Sequence, residues 1–399
     1  MKNFTLILIL ATLSMLTALS VDIYLPTVSQ ISQSFKTSPE MVGLSLSLFL
    51  FSYAFGQLMF GPISDKLGRL KVLKIGLGLY IFSSLVCAVS ATLEIFYLGR
   101  FFQGASACCG PITAFAMVGD LFERERAVKV NAYIDVITAL APMIAPVLGS
   151  LIAVRYGWRG NFVFLIATAF SLLVISPQLL LETKKPETAA LSLGSIFNEY
   201  KTMLRHPDFR RYMIFNALSF TALMTIISLS PLVFMTTFKL GAVMFSKLFA
   251  ANSFMLVVGG FLASKLSIGL DRSIRLGFIL IVLSGVGILA YCLLGATLSV
   301  APILVLSMLA TVGIAVVLPN STAGSLAIFK KTTGASSALV GFGRFAAGGI
   351  ASAILTSLSS EIGAPLALAV GTASCGICGV LYFNRKNIAD TEDCVKVAV

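Results

Sequence analysis

Two ionisable residues stand where a charge is expensive. Asp22 lies near the end of an apolar run that begins near residue 4, and Arg100 lies inside another spanning 94–118. A carboxylate in such surroundings can take up and release a proton. Burial disfavours its charged form, and a guanidinium nearby favours it. Arg100 lies about six residues, or roughly 9 Å, inside its helix, and Asp22 about four residues inside its own. An unpaired guanidinium at that depth costs several kcal/mol, which makes Asp22 its expected partner. The bland reading is a structural salt bridge, or an Asp22 that snorkels to the interface. Ionisable residues within membrane segments usually mark ion pathways, and this favours the proton-carrying role.

The elements that must position these residues follow from composition. The chain has 399 residues, 57% hydrophobic and 12% charged, with a mean hydropathy of +0.96. Such a chain is a polytopic membrane protein, with room for roughly twelve spans of about 20 residues. Apolar runs and turn signals predict helices over 4–25, 41–63, 72–91, 94–118, 127–154, 160–181, 212–235, 244–266, 273–295, 300–328, 335–358 and 363–384. With both termini cytosolic, Lys36, Arg155, Arg159, Lys239 and Lys247 face outward, and Arg100 and Arg344 fall within spans. The rest of the 29 Lys and Arg face inward. That asymmetry is the positive-inside signature, so the net charge of +12 reports orientation and not a nucleic-acid partner. No basic stripe with interleaved aromatics argues otherwise.

Several functions are disfavoured by what these residue types can do. Cys375-x-x-Cys378 has zinc-like spacing, but it has no second Cys/His pair and falls in an apolar helix. His206 is the single histidine. No metal or cofactor site and no enzyme chemistry is therefore expected. An ATP-driven pump needs a phosphate loop, and the chain lacks even a Gly-Lys dipeptide. Ala18-Leu19-Ser20 superficially resembles a signal cleavage site, but the run before it is nearly bilayer-length and reads as an uncleaved first span.

The spans divide into two halves, 1–181 and 212–384, with a polar linker at 182–211 and a cytosolic tail at 385–399. The linker carries Lys184, Lys185, Lys201, Arg205, Arg210 and Arg211, and a short amphipathic helix is expected around residues 193–204, on the membrane surface. The halves look like a worn repeat. Gly61-Pro-Ile-Ser-Asp65-Lys-Leu-Gly68-Arg69-Leu-Lys71 joins helices 2 and 3, its glycines permitting a tight turn. Gly260-Phe-Leu-Ala-Ser264-Lys265-Leu266 stands where a second copy belongs, with serine in place of the aspartate.

The loop's G-x-x-x-D-x-x-G-R-x-K spacing resembles that between helices 2 and 3 of the major facilitator superfamily of secondary transporters. Arg100-Phe-Phe-Gln103-Gly104 resembles the superfamily's helix-4 motif. Ala141-Pro142-Met-Ile-Ala145-Pro146-Val-Leu-Gly149 resembles its antiporter motif in helix 5. With Val21-Asp22-Ile-Tyr24-Leu25-Pro26, Gly157-Trp158-Arg159-x-Asn161-Phe162 and Gly334-Ala335-Ser336-Ser337-Ala338-Leu339, the chain is similar to the Bcr/CflA drug:proton antiporters of bicyclomycin and chloramphenicol resistance.

The resemblance implies an all-α fold of twelve helices in two pseudo-symmetric halves around a cavity that opens alternately to each side. It also implies drug efflux across the bacterial inner membrane. Asp22 would carry the proton and Arg100 would modulate it. Asp65 would dock on the N-terminus of helix 11 and Arg69 would pair with Asp120, latching the outward-facing state together with Gly61 and Gly68. The partners implied are protons, a small organic substrate and the bilayer, with the chain acting as a monomer. Candidate substrate contacts are Tyr24, Gln103, Asn216, Phe220 and Asn320, most of which could equally be packing residues. A siderophore or metabolite exporter and a proton-coupled uptake symporter share the same fold.

Arg344 departs from the family pattern, since an uncharged polar residue is expected there. It lies roughly 14 Å inside helix 11, and Asp135 lies roughly 12 Å inside helix 5. Asp135, Ala139, Pro142, Pro146 and Gly149 follow helical spacing, which puts them on one face. Two readings stand. Asp135 and Arg344 form a gate pair that meets when the protein faces outward, or Arg344 binds an anionic substrate group while Asp135 bonds locally with Asn131.

Overall fold

Among the described residues, twelve helices are long and apolar enough to cross a bilayer. They are numbered in chain order: helix 1 (Phe4–Ser34), 2 (Pro39–Leu67), 3 (Arg69–Val89), 4 (Leu93–Leu121), 5 (Glu125–Tyr156), 6 (Arg159–Leu179), 7 (Pro207–Thr237), 8 (Ala242–Lys265), 9 (Leu270–Leu293), 10 (Val300–Ile328), 11 (Gly334–Ile362) and 12 (Ala364–Asn384). The computed structural model describes residues 2–183, 193–265, 268–294, 298–329 and 333–397. Large apolar side chains such as Phe82, Val154, Leu283 and Leu381 point out of the bundle, as lipid requires.

Most boundaries agree with the hydropathy reading within a few residues. Helix 1 does not stop near residue 25. It breaks after Asp22, passes through a short 3-10 turn at Leu25–Thr27 and resumes over Val28–Ser34. Pro26 has no N–H to continue the ladder, so the regular helix must yield there. Helix 5 breaks too, between Arg124–Ala139 and Ala141–Tyr156, just ahead of Pro142. Helix 7 runs past Pro231 into a wider π turn at Leu232–Thr237.

Close packing is set by small residues. A Cβ at Gly104 would run into the Phe49 carbonyl, and one at Gly110 into that of Leu13. Helices 2 and 11 lie antiparallel along their length and join the two halves. Gly43 lies against Thr356, the rings of Tyr53 and Phe345 are 4.2 Å apart, and Gly341 lies against Gln57.

Gly68 starts helix 3 with φ +92, and Gly269 starts helix 9 with φ +87. Two halves that differ in charge thus share one turn device, placed two residues later in the second copy than the first loop's spacing predicts. Leu266 of that copy lies outside the described residues. Gly61, by contrast, sits within helix 2 with nothing within 4 Å of its Cβ position, so the tight turn belongs to Gly68 alone.

Part of the linker forms a helix at Leu193–Arg205. Its buried Met203 joins Phe209 of helix 7 and Leu339 and Val340 of helix 11, with Tyr200 alongside. One face therefore rests on protein and not on a lipid surface. Lys184 and Lys185 lie outside the described residues.

Candidate functional site

The first break in helix 1 prepares a site for Arg100. Ser20 lies in the last turn of the segment that ends at Asp22, where backbone carbonyls lack helical partners and carry the negative end of the helix dipole. Arg100, fully buried, donates from Nη1 to the Ser20 carbonyl at 3.1 Å and to Gln103 Oε1 at 2.6 Å. Its guanidinium carbon lies 4.5 Å from the ring centres of both Tyr24 and Phe49. Desolvated cation–π contacts are worth on the order of 2 kcal/mol each, comparable with the cost of holding the charge there.

The expected pairing with Asp22 is therefore corrected: among the described residues no ion pair joins the two. Arg100 is held through Nη1 by the broken helix end and Gln103 and by two ring faces, while its Nε and Nη2 are buried without hydrogen-bond partners. Asp22 is 2% exposed, and its Oδ1 has no hydrogen-bond partner. Two residues to either side of it in the chain, Ser20 Oγ meets the Tyr80 hydroxyl at 2.5 Å and the Tyr24 hydroxyl meets Ser45 Oγ at 3.3 Å.

The prolines and glycine of helix 5 meet this region from the side. Gly149 faces the carbonyl of Ile23, the residue after Asp22, so closely that a Cβ would overlap it. Asn161 of helix 6 donates to the same carbonyl at 3.2 Å. The Pro146 carbonyl accepts from Ser246 Oγ of helix 8 at 2.9 Å, linking the two halves. Pro142 begins the second segment of the helix. The single face drawn from Asp135 to Gly149 is thus interrupted at Leu140, and Gly149 looks toward helix 1 in its own half.

Charges gather at the Gly68 end. Arg69 binds Asp65 at 2.6 Å through Nη2 and Asp120 at 3.2 Å through Nε, and donates to Ser64 Oγ. Sequence reading misses Glu182. Its carboxylate accepts from the backbone N–H of Arg69 at 2.7 Å and of Leu70 at 3.0 Å, capping helix 3 from 113 residues away. Thr183 donates to Asp120 at 2.8 Å. The only available signal was an acid just beyond helix 6, which is too weak to choose a partner. Asp65 is bound by Arg69, and the N-terminus of helix 11 on which it is expected to dock begins at Gly334.

The candidate substrate contacts divide. Gln103 is bound to Arg100 and donates to Ser84 at 2.8 Å. Asn216 donates to Ser321 at 3.0 Å and Thr322 at 2.8 Å, tying helix 7 to helix 10. Asn320 is half-buried and donates to Val316 of its own helix. Tyr24 is buried against Arg100. Phe220 packs edge to face on Phe345 at 4.6 Å, with the Arg344 guanidinium 5.4 Å from its ring centre.

Arg344 and Asp135 lie across the bundle from one another and are within electrostatic reach, but no ion pair within 4 Å joins them among the described residues. The alternative bond, donated by Asn131 Nδ2 to the Asp135 carboxylate, is not formed among the described residues either. The reason is the attitude of the two halves. At the Pro26 end, helix 5 packs on helix 8, and a cavity of about 10 Å³ lies between Tyr24, Leu46, Ser228 and Pro231. At the Gly68 end, helices 4 and 5 pack on helices 1, 2 and 3 and not on helices 10 and 11. The bundle is closed at one end and parted at the other.

Residues 10–352 match the family model of the Major Facilitator Superfamily. The chain is 27% identical to the bicyclomycin resistance protein homolog of Haemophilus influenzae over 96% of both chains. It is 31% identical to multidrug resistance protein MdtL of Klebsiella pneumoniae over 54% of each. Among solved structures, a POT family transporter in complex with a thioalcohol conjugated peptide matches with a TM-score of 0.76 at 12% identity. That match covers 97% of this chain and 96% of the other, and it shows the shared fold.

Proposed function

The chain belongs to the Major Facilitator Superfamily, and from this we propose that it is a proton-coupled antiporter that exports small organic drugs by alternating access. Multidrug and bicyclomycin resistance relatives support the substrate class. The observation that carries proton coupling is Asp22, a buried carboxylate with an unpartnered oxygen beside the point where Gly149 touches helix 1. Loading a proton there removes a charge that is costly in an apolar surrounding. The helix-5 contact at Ile23 is placed to feel that change.

On this reading the Gly68 end is cytosolic, both termini are cytosolic, and the chain sits in the bacterial inner membrane. Two halves, 1–181 and 212–384, rock about the helix 2–helix 11 seam, with the linker at 182–211 and the tail at 385–399 on the cytosolic side. The parted Gly68 end admits substrate from the cytosol. Closing it brings helices 4 and 5 toward 10 and 11, and proton uptake from outside returns the protein to the inward-open form. Arg69 already holds Asp65 and Asp120 in this parted form, so the conformational latch of Gly61, Asp65, Gly68, Arg69 and Asp120 closes through docking of Asp65 on helix 11 in the outward-facing form.

Purified protein in proteoliposomes tests this. An imposed pH gradient should drive chloramphenicol-type substrates against their own gradient, with protons moving the opposite way. Flux indifferent to the pH gradient would sink proton coupling, and co-directional flux would make the protein a symporter.

A further inference from the structure

Four arginines of this chain lie largely inside the bundle, and three have acceptors. Arg69 holds Asp65 and Asp120, Arg211 holds Asp271 at 3.3 Å, and Arg100 holds Ser20 and Gln103. Arg344 is different. Its Nε is buried without a hydrogen-bond partner, as are those of Arg100 and Arg211, but it alone of the four has neither hydrogen bond nor ion pair to its guanidinium among the described residues. What surrounds it is aromatic: its guanidinium carbon lies 5.4 Å from the Phe220 ring centre and 4.9 Å from that of Phe345. The Tyr53 ring lies tilted against Phe345 with ring centres 4.2 Å apart, so helices 2, 7 and 11 each supply a wall.

A guanidinium presents five donors in a planar fork, which suits a carboxylate or sulfonate. Ring faces next to that fork suit a flat apolar body. Tyr53 and Asp135 are the groups that act on Arg344 electrostatically. Asp135 is exposed on the facing segment of helix 5, too far to bond and near enough to compete.

We infer that Arg344, walled by Phe220, Phe345 and Tyr53, is a binding site for the anionic group of an aromatic organic acid. The site is available in this conformation because Asp135 stands off. The assignment deepens the export reading by naming a substrate class, and it rests on that reading for transport but not for binding. Asp135 is the resident competitor: its negative charge weakens the anion's hold and occupies the same donors once the two halves approach.

The test is calorimetric binding to the full-length protein in zwitterionic lipid nanodiscs. Three naphthalene probes are compared: 2-naphthoate, its neutral isostere 2-naphthamide and cationic 2-naphthylmethylammonium. Wild type should hold naphthoate about tenfold tighter than the amide, as a charge-assisted bond at a desolvated site requires. Arg344→Gln should bring naphthoate down to the amide's affinity while leaving the amide unchanged. Arg344→Lys, which keeps the charge but not the fork, should lose about threefold or more of the preference and serves where the glutamine variant does not fold. Asp135→Asn should tighten naphthoate and not the amide. Equal affinity for the three probes in wild type, or a naphthoate preference that survives both Arg344 variants, overturns the assignment. Failure of the export reading looks different: naphthoate preference would persist while pH-driven flux of a neutral drug is absent. Flux without the preference would remove this site alone.

Discussion

Arg100 bonds the carbonyl of Ser20, two residues short of Asp22, and leaves Asp22 Oδ1 without a partner. The cation is therefore held by a helix end and two rings, and the acid is free to change its protonation without breaking an ion pair. Asp22→Asn should keep the fold, because the amide fits the same space. It should reduce pH-driven flux to background while substrate binding persists. Wild-type flux in that variant would end the carrier assignment.

Arg100 has a structural duty as well. Arg100→Gln removes a cation that contacts two ring faces, each contact worth on the order of 2 kcal/mol when desolvated. It should lower thermal stability as well as flux, whereas Asp22→Asn lowers flux alone. Melting curves of the two purified variants separate these outcomes. Equal melting temperatures would mean that Arg100 contributes no stability through its rings.

Gly61 and Gly68 open and close the same motif but differ physically. Gly68 has φ +92 and ψ 147, a conformation nearly exclusive to glycine, and its Cβ position meets the Glu182 carboxylate. Gly68→Ala should cost about 1–3 kcal/mol and should loosen the Glu182 cap. Gly61→Ala, in a helix with open space, should be neutral or slightly stabilising. A thermal-shift comparison decides, and a reversed order would mean that the turn relaxes without strain.

Asp65 and Glu182 act on Arg69 from two directions, one through the guanidinium and one through the backbone N–H. Asp65→Asn should shift the population toward the conformation parted at the Gly68 end. Cysteines introduced near Asp135 should then label faster from the cytosolic side. Unchanged labelling rates would remove the latch from the mechanism.

The gate reading predicts that Asp135 and Arg344, apart here, meet when the Gly68 end closes. Each single neutralisation should impair transport, and exchanging the two charges should partly restore it. An outward-facing structure with the groups beyond about 8 Å, a salt-screening length, together with failure of the exchange, would leave the closing contact to other residues.

The chain on its own determined the features that depend on local order. Apolar run length set twelve spans, the distribution of Lys and Arg set an expected orientation, and the Gly68, Arg100 and Pro142–Gly149 motifs located the segments that matter. Each is readable from a window of about 20 residues because a bilayer demands that length. Tertiary structure alone decided which groups meet. Ser20 takes Arg100 because Pro26 ends the regular helix, and hydropathy does not register that break. Glu182 reaches Arg69 from across the first half, and Arg344 gains the Phe220 ring from helix 7. Contacts between segments so far apart in sequence depend on helix rotation and close approach, set by packing at Gly104, Gly149 and Gly341.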